Sequence, residues 1–169
     1  MYYLAVRQFT HTLKSLANIL DKAAKHAQAK NFNADNFVDL RLFPDMLPFA
    51  AQIRIACDSA KSSAAMLSGK EPPKHEDNEK TFEELRGRVA KVLAYLETFT
   101  ASDFAKTTEK TIIPVPAPKG KAMYAEEYVF ARQVPNFYFH VTMAYALLRK
   151  GGVDVGKMDY LGPINMMDA

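Results

Sequence analysis

The sequence is organised around one stretch, Val134-Pro-Asn-Phe-Tyr-Phe-His-Val-Thr-Met-Ala-Tyr-Ala-Leu-Leu-Arg-Lys-Gly-Gly152, which predicts a single α-helix with a signal at each end. Pro135 suits the first helical turn, because the amide hydrogen that proline lacks would have no partner there. Gly151 and Gly152 suit the exit, since glycine readily adopts the left-handed conformation that often ends a helix. Arg149 places a positive charge at the negative end of the helix dipole. We therefore expect the last long helix here.

One face of this helix carries two polar side chains above an apolar stripe. Asn136, His140, Met143 and Leu147 follow a spacing of 4, 3 and 4 residues, so they share a face. Asn136 and His140 lie one turn apart, and both side chains can form hydrogen bonds or bind a metal. We expect the other helices to pack around this pair.

Three earlier stretches repeat apolar residues at the alternating spacing of helices that pack nearly parallel. The first covers residues 3–30, and the second begins near Pro44–Pro48, with Asp45 as a candidate cap. The third begins at a capping box formed by Thr81 and Glu84. The apolar positions are Phe9, Leu13, Leu16, Leu20, Ala23 and Ala27 in the first stretch, Met46, Ala50, Ile53, Cys57, Ala60, Ala64 and Leu67 in the second, and Phe82, Leu85, Val89, Val92, Leu96 and Phe99 in the third.

Residues 100–123 form the least helical part of the chain. Thr111–Pro118 combines β-branched residues with prolines, which predicts an edge strand or simply an extended segment. A turn at Lys119–Lys121 and a short helix at Tyr124–Arg132 are expected to follow. Residues 153–169 are expected to lie over the helices as a strap.

Length and composition are those of one globular domain. The chain has 169 residues, 49% of them apolar, which is enough for one hydrophobic core. With four long amphipathic stretches, the sequence predicts an all-α four-helix bundle over residues 1–169. A short irregular or extended insertion is expected before the last helix.

Several classes of function are disfavoured by the same composition. The net charge is +3 and the lysines are scattered, so no nucleic-acid groove is expected. Cys57 is the only cysteine, which excludes an internal disulfide and a cysteine-cluster zinc site. The amino terminus lacks the pattern of a signal peptide, and no apolar run approaches the roughly 20 residues of a membrane span. We expect a soluble cytoplasmic protein with no membrane partner.

His140 is the one histidine on a predicted inward face, and a buried imidazole needs partners for its ring nitrogens. Asn136 and Asp58 are the candidates, if the second and last helices face each other. One hypothesis is a structural Asp–His–Asn hydrogen-bond network, and the other is a metal site with these three ligands. Cys57 is either a packing residue or a reactive thiol. Three tyrosines are candidates for the edge of a pocket, namely Tyr128, Tyr138 and Tyr145.

The stretch Val134–Arg149 resembles an uncharacterised domain-of-unknown-function branch of the DinB/YfiT-like superfamily. So do Phe43–Pro48, Gln52–Lys61, Thr81–Leu85 and Gly156–Gly162, in the same order along the chain. The resemblance implies a four-helix bundle that is often a homodimer. It also implies a divalent metal held by one histidine of the second helix and a His-x-x-x-His pair of the last helix. Known members of the superfamily include thiol-dependent transferases, isomerases and hydrolases.

Carried over by position, His140 matches the second histidine of that pair, and Asn136 stands where the first would be. Asp58 is the nearest match to the histidine of the second helix. An amide and a carboxylate in place of two imidazoles favour harder cations. The resemblance thus implies an enzyme whose polar cleft binds Mn, Fe, Ni or Zn. The enzyme would act as a transferase or hydrolase on a small molecule. The alternative is a non-catalytic binding or structural bundle that has lost the metal triad. The resemblance and the alanine-rich second helix also suggest a homodimer.

Overall fold

The first helix of the computed structural model, α1, covers Tyr2–Ala29 and buries the predicted stripe from Phe9 to Ala27. The structure describes residues 1–115 and 118–167. A short 3₁₀ turn at Ala34–Phe37 follows α1. The predicted first helix is therefore confirmed to within one residue at each end.

The second helix, α2, covers Phe49–Leu67, and its amino terminus differs from the expected one. Asp45 does not cap it, and Pro48 occupies the position before the first helical residue. The amide of Phe49 donates to the carbonyl of Leu40 at 2.8 Å, and the amide of Ala50 donates to that of Val38 at 3.0 Å. The preceding loop thus supplies the hydrogen bonds that a capping side chain would otherwise make.

The third helix, α3, covers Phe82–Leu96 and begins at the predicted capping box. The amide of Glu84 donates to Thr81 Oγ1 at 3.2 Å, and the amide of Thr81 donates to Glu84 Oε2 at 3.0 Å. The helix ends three residues before Phe99, and a second 3₁₀ turn at Ala101–Phe104 follows. The predicted start is confirmed, and the predicted end was too late.

A two-stranded antiparallel sheet separates α3 from the last long helix. Strand β1 covers Ile112–Val115 and strand β2 covers Lys121–Tyr124, with Val115 opposite Lys121. Gly120 in the connecting turn has φ +77°, a conformation that glycine adopts without strain. The strand expected in this region is confirmed over β1, while residues 116–117 of the predicted stretch lie outside the described residues. The chain is mostly helical but not strictly all-α.

The last long helix, α4, covers Val134–Lys150 and follows a π-helical segment at Glu127–Gln133 without a break. The short helix expected over Tyr124–Arg132 is present one residue later, at residues 125–133, because Tyr124 ends β2. Most of it is π-helical, and it runs directly into α4. Helix α4 packs mainly on α2, which also packs on α3. Among the described residues, none of the helices is long and apolar enough to cross a membrane.

The chain after α4 packs on α1, as the predicted strap requires. Val153 and Val155 are buried, and a short helix, α5, covers Lys157–Leu161. His11 Nε2 lies 2.7 Å from the carbonyl oxygen of Leu161. The expected strap is thus present through α5, whereas Met166 and Met167 are exposed and residues 168–169 lie outside the described residues.

Candidate functional site

Helices α2 and α4 meet through two polar pairs. Asn136 Nδ2 donates to Ser59 Oγ at 2.7 Å, and His140 Nδ1 lies 2.7 Å from Gln52 Oε1. Asn136 precedes His140 along α4, whereas its partner Ser59 follows Gln52 along α2. The two helices are therefore antiparallel. The face predicted for Asn136 and His140 is therefore the face that packs on α2.

The His140 pair has a defined hydrogen-bond direction. An amide oxygen can only accept, so the hydrogen is on Nδ1 of His140 and the lone pair of the neutral ring is on Nε2. Burial lowers the pKa of His140 below its ordinary value of 6.5. The imidazole is therefore neutral at pH 7.

The partners on α2 come from a stripe of polar and small residues that the sequence analysis did not single out. Gln52, Ala56, Ser59 and Ser63 repeat at 4, 3 and 4 residues and lie beside the apolar stripe. All four are buried. Small residues in the middle of the stripe let α4 approach closely. The recurrence of polar residues at this spacing was the signal that could have identified Gln52 and Ser59.

Asp58 lies beside Ser59 but has other partners. Its Oδ2 lies 2.8 Å from Arg88 Nη2, and its Oδ1 lies 2.7 Å from Lys61 Nζ. Arg88 is 2% exposed and Lys61 is 5% exposed. The predicted Asp–His–Asn set is thus divided: Asn136 and His140 hydrogen-bond to α2, whereas Asp58 forms ion pairs with α3 and with its own helix.

Arg88 is the centre of a larger ionic cluster. Its Nη1 lies 2.8 Å from Glu79 Oε1 and 3.0 Å from Asp77 Oδ1, and Arg54 Nε lies 2.9 Å from Glu79 Oε2. Burial alone would raise the pKa of Glu79, but its hydrogen bonds, chiefly that from Arg88, lower it overall. The cluster ties the connector before α3 to α2 and α3. Arg88 lies between Leu85 and Val92 on the apolar face of α3. A charged residue on an apolar face is the sequence feature that could have identified it.

A cavity of about 580 Å³ opens between α2, β1 and the start of α4, and we call it the α2–α4 cavity. Asp58 and Asn136 both line it, so the structure does bring these two predicted residues to one site. His140 lies one turn further along α4, at its hydrogen bond with Gln52. The cavity is lined by Ile55, Asp58, Ser59, Ser62, Met66, Pro72, Pro114, Val115, Tyr128, Arg132, Gln133 and Asn136.

The π-helical segment positions three of these residues. The amide of Val134 donates to the carbonyl of Val129, five residues earlier, and Pro135 has no amide hydrogen to continue the ordinary helical pattern. This wider turn directs Tyr128, Arg132 and Gln133 to the cavity. Segments of this kind occur often at functional sites.

The three candidate tyrosines lie at different places. Tyr128 lines the α2–α4 cavity and is 2% exposed, and burial raises its pKa. The hydroxyl of Tyr138 lies 3.4 Å from Thr12 Oγ1, on the side of α1. The hydroxyl of Tyr145 donates to the carbonyl of Val155 at 3.4 Å. Of the three, Tyr128 belongs to the site.

The side chains present do not fit a resident divalent metal of the superfamily type. Among the described residues, no three His, Cys, Asp or Glu side chains are grouped closely enough to hold an ion. Asp58 already has two cationic groups within 2.8 Å, which would repel a bound cation. Cys57 offers no thiolate, because burial raises its pKa to about 12.

Comparison with known proteins identifies the family. The domain of unknown function DUF1993 matches residues 1–161. A crystal structure of a DinB family member protein from Shewanella denitrificans is 42% identical and superposes with a TM-score of 0.92, covering 99% of this chain and 95% of that one. No curated protein matches the sequence. The resemblance seen in the sequence is confirmed, and the chain belongs to the DUF1993 family, with the fold of a DinB family member.

Proposed function

We propose that this protein binds a small organic molecule in the α2–α4 cavity, without a metal held by Asp58, Asn136 and His140. The observation that carries the proposal is the cavity itself. Its volume of about 580 Å³ falls within the roughly 300–1,000 Å³ of small-molecule sites. The function is therefore the non-catalytic binding role that the sequence analysis left as the alternative.

The lining of the cavity supports a ligand of mixed character. Ile55, Met66 and Pro114 supply apolar surface, while Gln133 and Asn136 supply amide groups. Gln133 is 8% exposed, so its amide is positioned inside the protein and not in bulk solvent. A few fixed polar groups in a largely apolar wall orient a ligand and select among candidates.

A metal-dependent transferase or hydrolase is the second candidate, and one observation favours it. The imidazole of His140 donates from Nδ1 to Gln52, and a metal-binding histidine is often oriented in this way by a hydrogen-bond acceptor that does not itself bind the metal. The ionic partners of Asp58 argue against this candidate, as described above. The two candidates differ in their metal requirement.

The binding proposal is tested by blocking the cavity. Thermal melts are recorded with a library of several hundred neutral, anionic and cationic small molecules, because a ligand that binds the folded state raises the melting temperature. Ser62→Phe fills the cavity, and Ala90→Phe places the same side chain on the exposed face of α3 as a control. We expect the screen to find ligands that raise the melting temperature of the wild type and of Ala90→Phe but not that of Ser62→Phe. A library without such ligands would contradict the proposal.

The metal requirement is tested by elemental analysis. Protein without a histidine tag is purified without chelator and assayed for Mn, Fe, Ni and Zn. We expect no stoichiometric metal and no rise in melting temperature when these ions are added. One metal ion per chain, lost in His140→Ala, would favour the enzyme candidate instead.

A further inference from the structure

We propose that the ligand of the α2–α4 cavity is a monocarboxylate with an apolar body, bound through its carboxylate by Arg132. This inference rests on the proposed function and names the class of ligand. Arg132 lines the cavity from the π-helical segment and is half-buried. The apolar body would lie against Ile55, Met66 and Pro114 on the other walls.

The charges around the cavity leave one positive group uncompensated. Asp58, the one carboxylate among the lining residues, is already paired with Lys61 and Arg88. The ionic cluster behind it balances, because three cations face three carboxylates: Arg54, Lys61 and Arg88 against Asp58, Asp77 and Glu79. In the described part of the chain, Arg132 has neither an ion-pair nor a hydrogen-bond partner, unlike Arg54 and Arg88. The net charge offered to a ligand is therefore +1.

Arg132 shares the cavity wall with two other polar lining residues, Tyr128 and Gln133. Burial raises the pKa of Tyr128, and the positive charge of Arg132 opposes part of that rise, so the charge acts on the phenol within the cavity. Gln133 is the next residue in the same segment and also lines the cavity. Arginine presents a planar fork of donors that matches the two oxygens of a carboxylate.

A single uncompensated cation selects a monoanion over a phosphate ester. A phosphate monoester carries about −1.5 to −2 charges at pH 7 and would leave excess negative charge in a cavity with apolar walls. The same argument disfavours a cationic ligand, which would face Arg132 with no free carboxylate among the described lining residues. A neutral ligand would leave the guanidinium unpaired.

The test uses matched pairs of compounds and two charge variants. Hexanoate, octanoate and 4-phenylbutanoate are compared with their primary amides by calorimetric titration into the wild-type protein, Arg132→Gln and Arg132→Lys. Arg149→Gln removes a cation from the exposed carboxyl end of α4, which continues the π-helical segment, and controls for net charge. Melts of each variant without ligand confirm folding.

We expect the carboxylates to bind more tightly than the amides, and Arg132→Gln to weaken carboxylate binding about tenfold or more without changing amide binding. Arg132→Lys should restore part of the affinity, and Arg149→Gln should bind as the wild type does. Equal binding of acids and amides, or no loss in Arg132→Gln, would overturn this inference and leave the cavity proposal standing. Binding of neither member of any pair would overturn this inference, and the library screen then decides the cavity proposal by itself.

Discussion

Three carboxylates surround the guanidinium of Arg88, which is almost wholly out of solvent. Removing this group takes one of two cationic partners from Glu79 and from Asp58, which keep only Arg54 and Lys61. Breaking a buried ion pair typically costs about 3–5 kcal/mol. We expect Arg88→Ala to lower the free energy of unfolding by about 3 kcal/mol, the lower end, because Asp77 and Asp58 are partly exposed. Urea denaturation measures the change.

Arg86 provides the matched control on the same helix. Its ion pairs with Asp21 and Glu83 lie at the surface, where such pairs contribute roughly 0–1 kcal/mol. Arg86→Ala should therefore cost less than about 1 kcal/mol. Equal losses in Arg86→Ala and Arg88→Ala would show that the buried cluster does not hold the connector as described.

His140 makes stability depend on pH in a known direction. Burial lowers its pKa in the folded state, so the unfolded chain binds a proton more readily below pH 6.5. The contribution of the neutral His140 to the free energy of unfolding is fully present above about pH 6.5. It is lost as the pH is lowered from about 6 to 5. Desolvation also lowers the pKa of His75, which adds to the same trend. The carboxylates with lowered pKa, such as Glu79, lose their contribution only below about pH 4.5.

The measurement is the free energy of unfolding at pH 5, 6 and 7 for the wild type, His140→Gln and His75→Gln. We expect each variant to lose part of the pH dependence between pH 5 and 7. A wild-type protein that is equally stable at pH 5 and pH 7 would refute the account of His140.

How far the site could be predicted differs from residue to residue. The helical spacing placed Asn136 and His140 on an inward face, because that property depends on one helix alone. Their partners Ser59 and Gln52 depend on which faces of the two helices meet and on how far one helix is shifted along the other. The sequence of a single helix specifies neither of these. Asp58 was proposed on the condition that the second and last helices face each other, but its partners are Arg88 on a third helix and Lys61 on its own helix.

At the scale of single elements, two glycines test opposite effects of the same substitution. Gly87 lies inside α3, where a methyl group would meet no atom within 4 Å, so alanine should stabilise the helix by about 0.5–1 kcal/mol. Gly120 also has open space around it but has φ +77°, so alanine should cost about 1 kcal/mol. Thermal melts of Gly87→Ala and Gly120→Ala should shift in opposite directions. Shifts of the same sign would contradict the backbone assignment of one of them.

The long helices and strand β1 were predictable and strand β2 was not, for a physical reason. Each helix carries its own repeating apolar stripe, and the capping box of α3 is local to Thr81 and Glu84. Strand β2, Lys121–Tyr124, has only a half-buried face and exists through its pairing with β1. The amino terminus of α2 likewise depends on carbonyl groups of Val38 and Leu40, which lie earlier in the chain.

At the scale of the whole molecule, we propose the homodimer that the resemblance suggests. The alanines of α2 do not support it, because Ala50, Ala56, Ala60 and Ala64 are all buried within one chain. Exposed apolar side chains near both termini, such as Leu4 at 62% and Ile164 at 55%, offer an alternative contact surface. Light scattering at micromolar concentration should give twice the chain mass. A monomer mass would refute the proposal.

We propose that the cavity lined by Asp58 and Asn136, two of the three positions where the superfamily resemblance implies metal ligands, binds a small organic molecule without a metal. The most direct test is a two-dimensional amide NMR titration in EDTA with the strongest binder of the library. We predict that the largest shifts fall on the cavity-lining parts of α2 and of the π-helical segment and early α4, namely residues 55–66 and 128–136. Shifts centred on the groove between α1 and the residues after α5, or shifts that appear only after a divalent metal is added, would contradict the claim.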